Sequence, residues 1–350
     1  MTAPVGGEAS LLEETVPFTA GDGRTLNLVH VRGHRDPSRG PVLLVHGAGV
    51  RANIFRAPVE RTLVDVLVDE GYDVWLENWR ASIEHERNSW DLDQAAVHDH
   101  PAAVRTVLSR TGVATLPAII HCQGSTSFAM SAVAGLIPEV TTIVSNAVSL
   151  HPVVPRFSRF KLRALRPPLA RLTPYLNPAW GDAPPDVLAR AIVLAVRASH
   201  RECDNRVCRM VSFTYGSGRP ALWSHGNLNA ATHAWVAEEF GHVPVTFFAQ
   251  MDRCVRAGRL VATGGYAELP DDLVAQPPQT DARFVLLAGA DNRCFLPESQ
   301  ERTFAYLEAQ RAGYHALHVF ERYGHLDIFM GRSASRDVFP VITAALEADA

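Results

Sequence analysis

Residues 118–130 read AIIHCQGSTSFAM. Ala118, Ile119 and Ile120 form a short apolar run that ends at His121, and small or polar residues follow from Gly124 at helical spacing. Such a run is a buried strand that turns sharply into a helix, with Cys122 at the corner, where one side chain is lifted above the sheet. Gly124, two residues on, suits a place where backbones approach closely. The corner favours a thiol in particular. A helix N-terminus stabilises negative charge, and a nearby histidine can take the proton, so a thiolate forms near neutral pH. Ile120 departs from the pattern, which calls for a small residue two before the nucleophile, and strain is expected there. Ser125 is a poorer nucleophile candidate: Gln123 and Ser127 flank it at that spacing, and it falls inside the helix. The plain alternative is a buried, inert cysteine.

Outward from this corner, strand-like and helix-like segments alternate. LEETVPFTA and TLNLVHVRG flank a GDG turn and predict an antiparallel hairpin. PVLLVHGAG (41–49) and DVWLENWR (73–80) read as strands buried on both faces, and VERTLVDVLVDEG between them as a helix closed by Gly71. DQAAVHDHPAAVRTVLSRTG predicts a second helix, interrupted near Pro101 and ended by Gly112. TTIVSNAVSL is a further strand. The pattern resumes with ARFVLLAGAD and ALHVFERYGH, with helices from about Glu298 and Ser333. This order predicts an α/β fold with a mostly parallel, doubly wound sheet built from residues 1–150 and 281–350. Residues 151–280 differ: proline clusters, helical runs and scattered aromatics predict a mainly helical cap inserted over one end of the sheet.

Composition narrows the function classes. The chain has 350 residues, 47% hydrophobic and 20% charged, with a net charge of −4. That is ordinary for a globular protein and gives no reason to expect nucleic acid as a partner. The N-terminus lacks the basic and apolar regions of a secretory signal, and no run of about 18 apolar residues suggests a membrane span. Five scattered cysteines fit reduced thiols in the cytoplasm. Cys203 and Cys208 in ECDNRVC could bridge or bind metal, but no second cysteine or histidine pair follows at matching spacing, so no metal is expected.

Acyl transfer through Cys122 needs further parts. HGAG (46–49) follows the third strand, where a backbone donor for an oxyanion belongs; the N–H of Ala48, paired with that of Gln123, is the candidate, with Gly47 beside it as a candidate for binding substrate. The acid and then the histidine should follow the nucleophile. Asp291 lies just past one buried strand and His325 after the last, both at strand ends where catalytic residues gather. Asp327 is a substitute acid, but two residues from the base it is poorly placed to reach the far ring nitrogen. Trp223, Asn227, Asn229 and His233 are candidates for lining a substrate pocket from the cap. The aromatics Trp180, Phe213, Tyr215, Trp235, Phe247 and Phe248 fit a bulky apolar substrate or simply the packing of the cap.

HGAGV, GYDVWLENWRAS and HCQGS together resemble the acid-lipase branch of the α/β-hydrolase superfamily. HCQGSTSFAM, SLHPVVP, ECDNRVCRMVSFTYG, NLNAATHAWVAEEFG, DNRCFLPESQERT and RYGHLDIFMGRSASRDVFPVI more closely resemble the α/β-hydrolase domain of cholesterol-oxidase-type glucose–methanol–choline oxidoreductases. The resemblance spans most of the chain from about residue 40. It implies the α/β-hydrolase fold and a Cys122–His325–Asp291 triad without cofactor, since no G-x-G-x-x-G dinucleotide motif follows the first strands. Three functions stay open: hydrolysis of an ester, lactone or thioester; transfer of the acyl group to an alcohol, amine or carbon acceptor, as in the similar polyhydroxyalkanoate synthases; and a non-catalytic fold that only binds a ligand.

Overall fold

The computed structural model describes residues 11–217 and 222–348. Eight strands form one sheet: β1 (Leu12–Thr19), β2 (Thr25–Arg32), β3 (Pro41–Val45), β4 (Asp73–Asn78), β5 (Leu116–His121), β6 (Val140–Asn146), β7 (Arg283–Gly289) and β8 (Ala316–Phe320). Their spatial order is β1-β2-β4-β3-β5-β6-β7-β8. The first two are antiparallel to each other and β2 is antiparallel to β4, while every later pairing is parallel. The expected hairpin is present, turning at Gly21–Gly23 with Thr19 opposite Thr25. Strands β3 and β4 are buried along their whole length. Their apolar runs lack alternation because both faces of the sheet are covered.

Local chemistry sets the helix ends. Thr62 and Asp65 form a reciprocal capping box at the start of helix Leu63–Asp69, satisfying two donors that the first turn leaves free. The segment expected to break near Pro101 does so gently. Helix Leu92–Gln94 widens into a π-turn over Ala95–Asp99 and continues as His100–Thr111, with Pro101 in its first turn. A proline has no N–H to give the preceding turn, and the wider turn absorbs that loss. Gly112 closes the helix in the left-handed conformation, its N–H donating to the Leu108 carbonyl.

Between β6 and β7 the regular structure is mainly helical up to Ala257, with a two-residue antiparallel pairing of Tyr175–Leu176 with Val243–Pro244, and residues 258–282 are irregular apart from a bridge between Val261 and Asp272. The longer helices are Val187–Ser199, Arg206–Tyr215 and Val245–Ala257. Part of this segment joins the main core through Val207, Val211, Trp223 and Phe247, while Val193, Val196 and Met210 form a small apolar cluster of their own with Trp180 against it. No helix among the described residues is long and apolar enough to cross a membrane.

Candidate active site

Strand β5 ends at His121, and helix Cys122–Val133 begins at the next residue. Cys122 takes φ +56°, a conformation that costs a residue with a Cβ about 1–3 kcal/mol. The surroundings hold it there. A Cβ on Gly124 would lie 2.2 Å from the His46 carbonyl oxygen, and one on Gly47 would lie 2.9 Å from the Cβ of Cys122. Both glycines let the β3 exit and the helix start press together. Ile120, where strain was expected, stays in register opposite Val45 and Ser145 and is fully buried. Its bulk is taken up by the sheet core, leaving the turn intact. Ser125 is buried in the helix, its hydroxyl paired with that of Ser145.

His325 lies beside the thiol. The Cys122 sulfur and one ring nitrogen each of His325 and His121 are all within 4.8 Å of one another. His325 Nε2 is buried with no hydrogen-bond partner among the described residues. Its Nδ1 is 3.0 Å from Asn292 Nδ2. Asp291 is not at this position: its side chain is exposed, while Asn292 is 2% exposed. The chain after β7 turns once more than the reading of Asp291 assumed. Asn292 Oδ1 accepts the N–H of Cys294 at 2.9 Å and that of Phe295 at 3.1 Å, which points the amide nitrogen at the imidazole. An N–H can only donate, so Nδ1 accepts and the neutral ring carries its proton on Nε2. Asp327 does not reach the ring either. Its carboxylate accepts from the Gly324 N–H at 2.8 Å and from Asn227 Nδ2 at 2.6 Å.

Cys294, absent from the sequence reading, is the other thiol at the site. Burial opposes charge on Cys122, yet a hydrogen bond from the Cys294 thiol, the His325 imidazole and the Gln123 N–H hold its pKa well below the ordinary thiol range. The same hydrogen bond, together with burial, pushes Cys294 well above that range. One sulfur therefore carries the charge and the other supports it as a donor. Beneath them, Asn146 Nδ2 donates to His121 Nδ1 at 3.0 Å and to the His325 carbonyl at 3.1 Å. Burial drives the His121 pKa well down, which keeps that ring neutral.

Of the oxyanion segment, Gly47 packs against Cys122, a Cβ on it lying 3.4 Å from the sulfur. The Gln123 N–H approaches Cys122. The Ala48 N–H has no hydrogen-bond partner among the described residues, while the Ala48 carbonyl is held by the Tyr215 hydroxyl at 3.1 Å. The thiol opens into a cavity walled by Leu162, Phe213, Phe247, Phe248, Met251 and Phe295. Lys161 is in the same wall and donates to the carbonyls of Phe213 and Gly216, and burial lowers its pKa to about 8. Of the pocket residues expected from the cap, Trp223, Asn227, Asn229 and His233 do not line this cavity. Asn227 braces Asp327, Asn229 caps helix Ala230–Trp235, and Trp223 is packed in the core. Phe213, Tyr215, Phe247 and Phe248 do line it, whereas Trp180 and Trp235 serve packing. His233 belongs to a separate cluster. A signal for Asn292 was present in the sequence: an asparagine beside the acid, two residues before a cysteine, in a loop where its side chain could cap the following N–H groups.

No protein-family model matches the chain. It is similar to sterol esterase 2 of Saccharomyces cerevisiae, 28% identical over 37% of this chain and 29% of that protein. It is also similar to human lipase member K, 26% identical over 59% of this chain and 55% of that protein. The chain thus spans about half or less of the length of these two relatives. Among solved structures, a monoacylglycerol lipase of Paleococcus ferrophilus superposes over 96% of this chain and 99% of its own, with TM-score 0.53 and 14% identity. The sheet order, the strained thiol between β5 and its helix, and these likenesses agree: the chain has the α/β-hydrolase fold.

Proposed function

We propose that this protein is a cysteine-dependent acyl-transfer enzyme that cleaves carboxylic esters or thioesters of bulky apolar acyl groups. One observation carries the reading: a thiol held at φ +56° beside His325 opens into an apolar cavity. The Cys122 thiolate attacks the carbonyl carbon, and the new oxyanion turns toward the N–H groups of Ala48 and Gln123. Collapse breaks the bond to the leaving group, an alkoxide taking the His325 Nε2 proton to depart as the alcohol, and leaves an S-acyl cysteine; water then gives a proton to the vacated Nε2, attacks the thioester carbon and expels the Cys122 thiolate. Residues 151–280 act as the cap that shapes the acyl cavity over a core of residues 1–150 and 281–350. The sterol esterase and lipase among the relatives agree with an ester bearing a large apolar group. The test is kcat/KM across a series of esters and thioesters of rising acyl length. A rise with length is expected; a flat or falling series contradicts the assignment.

A second reading, transfer to an acceptor other than water, is favoured by the Asn292 amide. While Nε2 keeps its proton, as when a thiolate leaves, His325 offers no lone pair to take a proton from water, and an acceptor that arrives already deprotonated, such as a thiolate, is favoured. A thioester suits this arrangement, because its thiolate departs without needing a proton. Discharge of the acyl-enzyme only on addition of an alcohol, amine or thiol supports transfer, and discharge in water alone supports hydrolysis.

A further inference from the structure

Away from the cavity, four side chains converge that the sequence spacing did not connect. Cys203 lies in the loop before helix Arg206–Tyr215, and Cys208 is in that helix's first turn. His225 opens the short turn His225–Asn227, and His233 is on helix Ala230–Trp235. One donor atom from each lies within 4.8 Å of all the others. We propose that Cys203, Cys208, His225 and His233 form a structural zinc site, a Cys2His2 centre that ties two parts of the cap together.

The geometry is close to what the ion needs. Tetrahedral zinc with its usual bond lengths places a sulfur and a nitrogen about 3.6 Å apart. Cys208 Sγ and His225 Nε2 are 3.5 Å apart. The two imidazoles face each other across the cluster, with ring centroids 4.8 Å apart at 78°. The His233 Nε2 and the indole Nε1 of Trp223 are both buried with no hydrogen-bond partner among the described residues, and Trp223 is 2% exposed. A metal satisfies the first, and the second stands against Cys208, where an indole N–H supports a metal-bound thiolate. Two thiolates and two imidazoles select zinc over magnesium or calcium, and their charges balance. The surrounding frame is already fixed. Asn205 accepts the Cys208 N–H at 3.0 Å and donates to the His233 carbonyl at 2.8 Å. Cys203, His225 and His233 are only half-buried, which leaves the ion a way in.

The site joins two working parts. Helix Arg206–Tyr215 supplies Phe213 and Tyr215 to the cavity, and the turn after His225 supplies Asn227, which holds Asp327 two residues from His325. This inference does not rest on the acyl-transfer reading. Elemental analysis of the full chain purified with zinc should give one zinc per chain, and Cys208→Ser and His233→Ala should each lose it. Cys122→Ser should keep it, which separates this site from the His121, Cys122 and His325 donors. Cobalt in place of zinc should show tetrahedral d–d bands and thiolate charge transfer. Should the variants fail to fold, wild type stripped by chelator and refilled with zinc carries the test through a rise in Tm. The proposal is overturned by zinc absent from wild type with no rise in Tm on refilling, by zinc kept in Cys208→Ser and lost in Cys122→Ser, or by a Cys203–Cys208 disulfide in the native protein.

Discussion

At the Cys122 corner, proton placement follows from three side chains. Asn292 presents an N–H where an aspartate would present a lone pair, so it selects the opposite imidazole tautomer. Asn292→Asp should keep the two backbone contacts and move the imidazole proton to Nδ1. The expected result is faster acyl-enzyme hydrolysis with a new acidic limb in the pH–rate profile, read by single-turnover kinetics. Asn292→Ala should lower kcat about 10–100-fold, the effect of about 1–3 kcal/mol from an unpartnered buried group. From about pH 8 down to about 6, Cys122 should be alkylated by iodoacetamide faster than a free thiol and with a shallower fall in rate, because its pKa lies below the ordinary thiol range. Cys294 should stay unreactive over the same interval, its pKa being raised. The thiol and histidine were legible because each sits at a strand end in the expected order. Asn292 was not, because one residue of loop geometry decides between two neighbouring side chains, and that choice is made by the N–H groups of Cys294 and Phe295.

Between elements, the buried polar contacts carry the risk. Arg80 donates to Asp99 through Nε and Nη2, and the two side chains are 3% and 0% exposed. Asp99 belongs to the π-turn and Arg80 follows β4, so the pair locks that turn to the sheet. Asp99→Ala should cost about 3–5 kcal/mol by leaving the buried guanidinium with only the partly exposed Asp22, 2.9 Å from Nη2, as its acidic partner. Gly124→Ala should cost about 1–3 kcal/mol, since its Cβ meets the His46 carbonyl, a backbone atom that cannot rotate away. Urea denaturation measures both. The strands and most helices were readable, because continuous apolar runs such as PVLLV have few other homes and Thr62, Gly71 and Gly112 mark helix ends by their own chemistry. Residues 151–280 resisted detailed reading. Their helices pack partly on each other and partly on the core, so no single apolar face repeats.

Across the molecule, distant segments meet in ways spacing cannot show. The segment around Asn227 reaches Asp327, and Glu239 holds Arg51, just after the HGAG segment, by accepting two 2.7 Å hydrogen bonds. Burial, opposed by its N–H donors, raises Asp327 from an ordinary 3.8 to about 6. Between those values the folded chain keeps a proton that the unfolded chain has released, so this group's contribution falls as pH rises. Asp327→Asn should therefore remove part of the stability loss between about pH 4 and 6 relative to wild type, as followed by Tm. The central claim is that Cys122 carries the acyl group. Intact-mass and peptide mass spectrometry after brief exposure to a long-chain acyl thioester tests it most directly. A single acyl adduct on Cys122 in wild type, absent from Cys122→Ala, is the predicted result; an adduct that persists in Cys122→Ala, or that maps to Ser125 or Cys294, contradicts it.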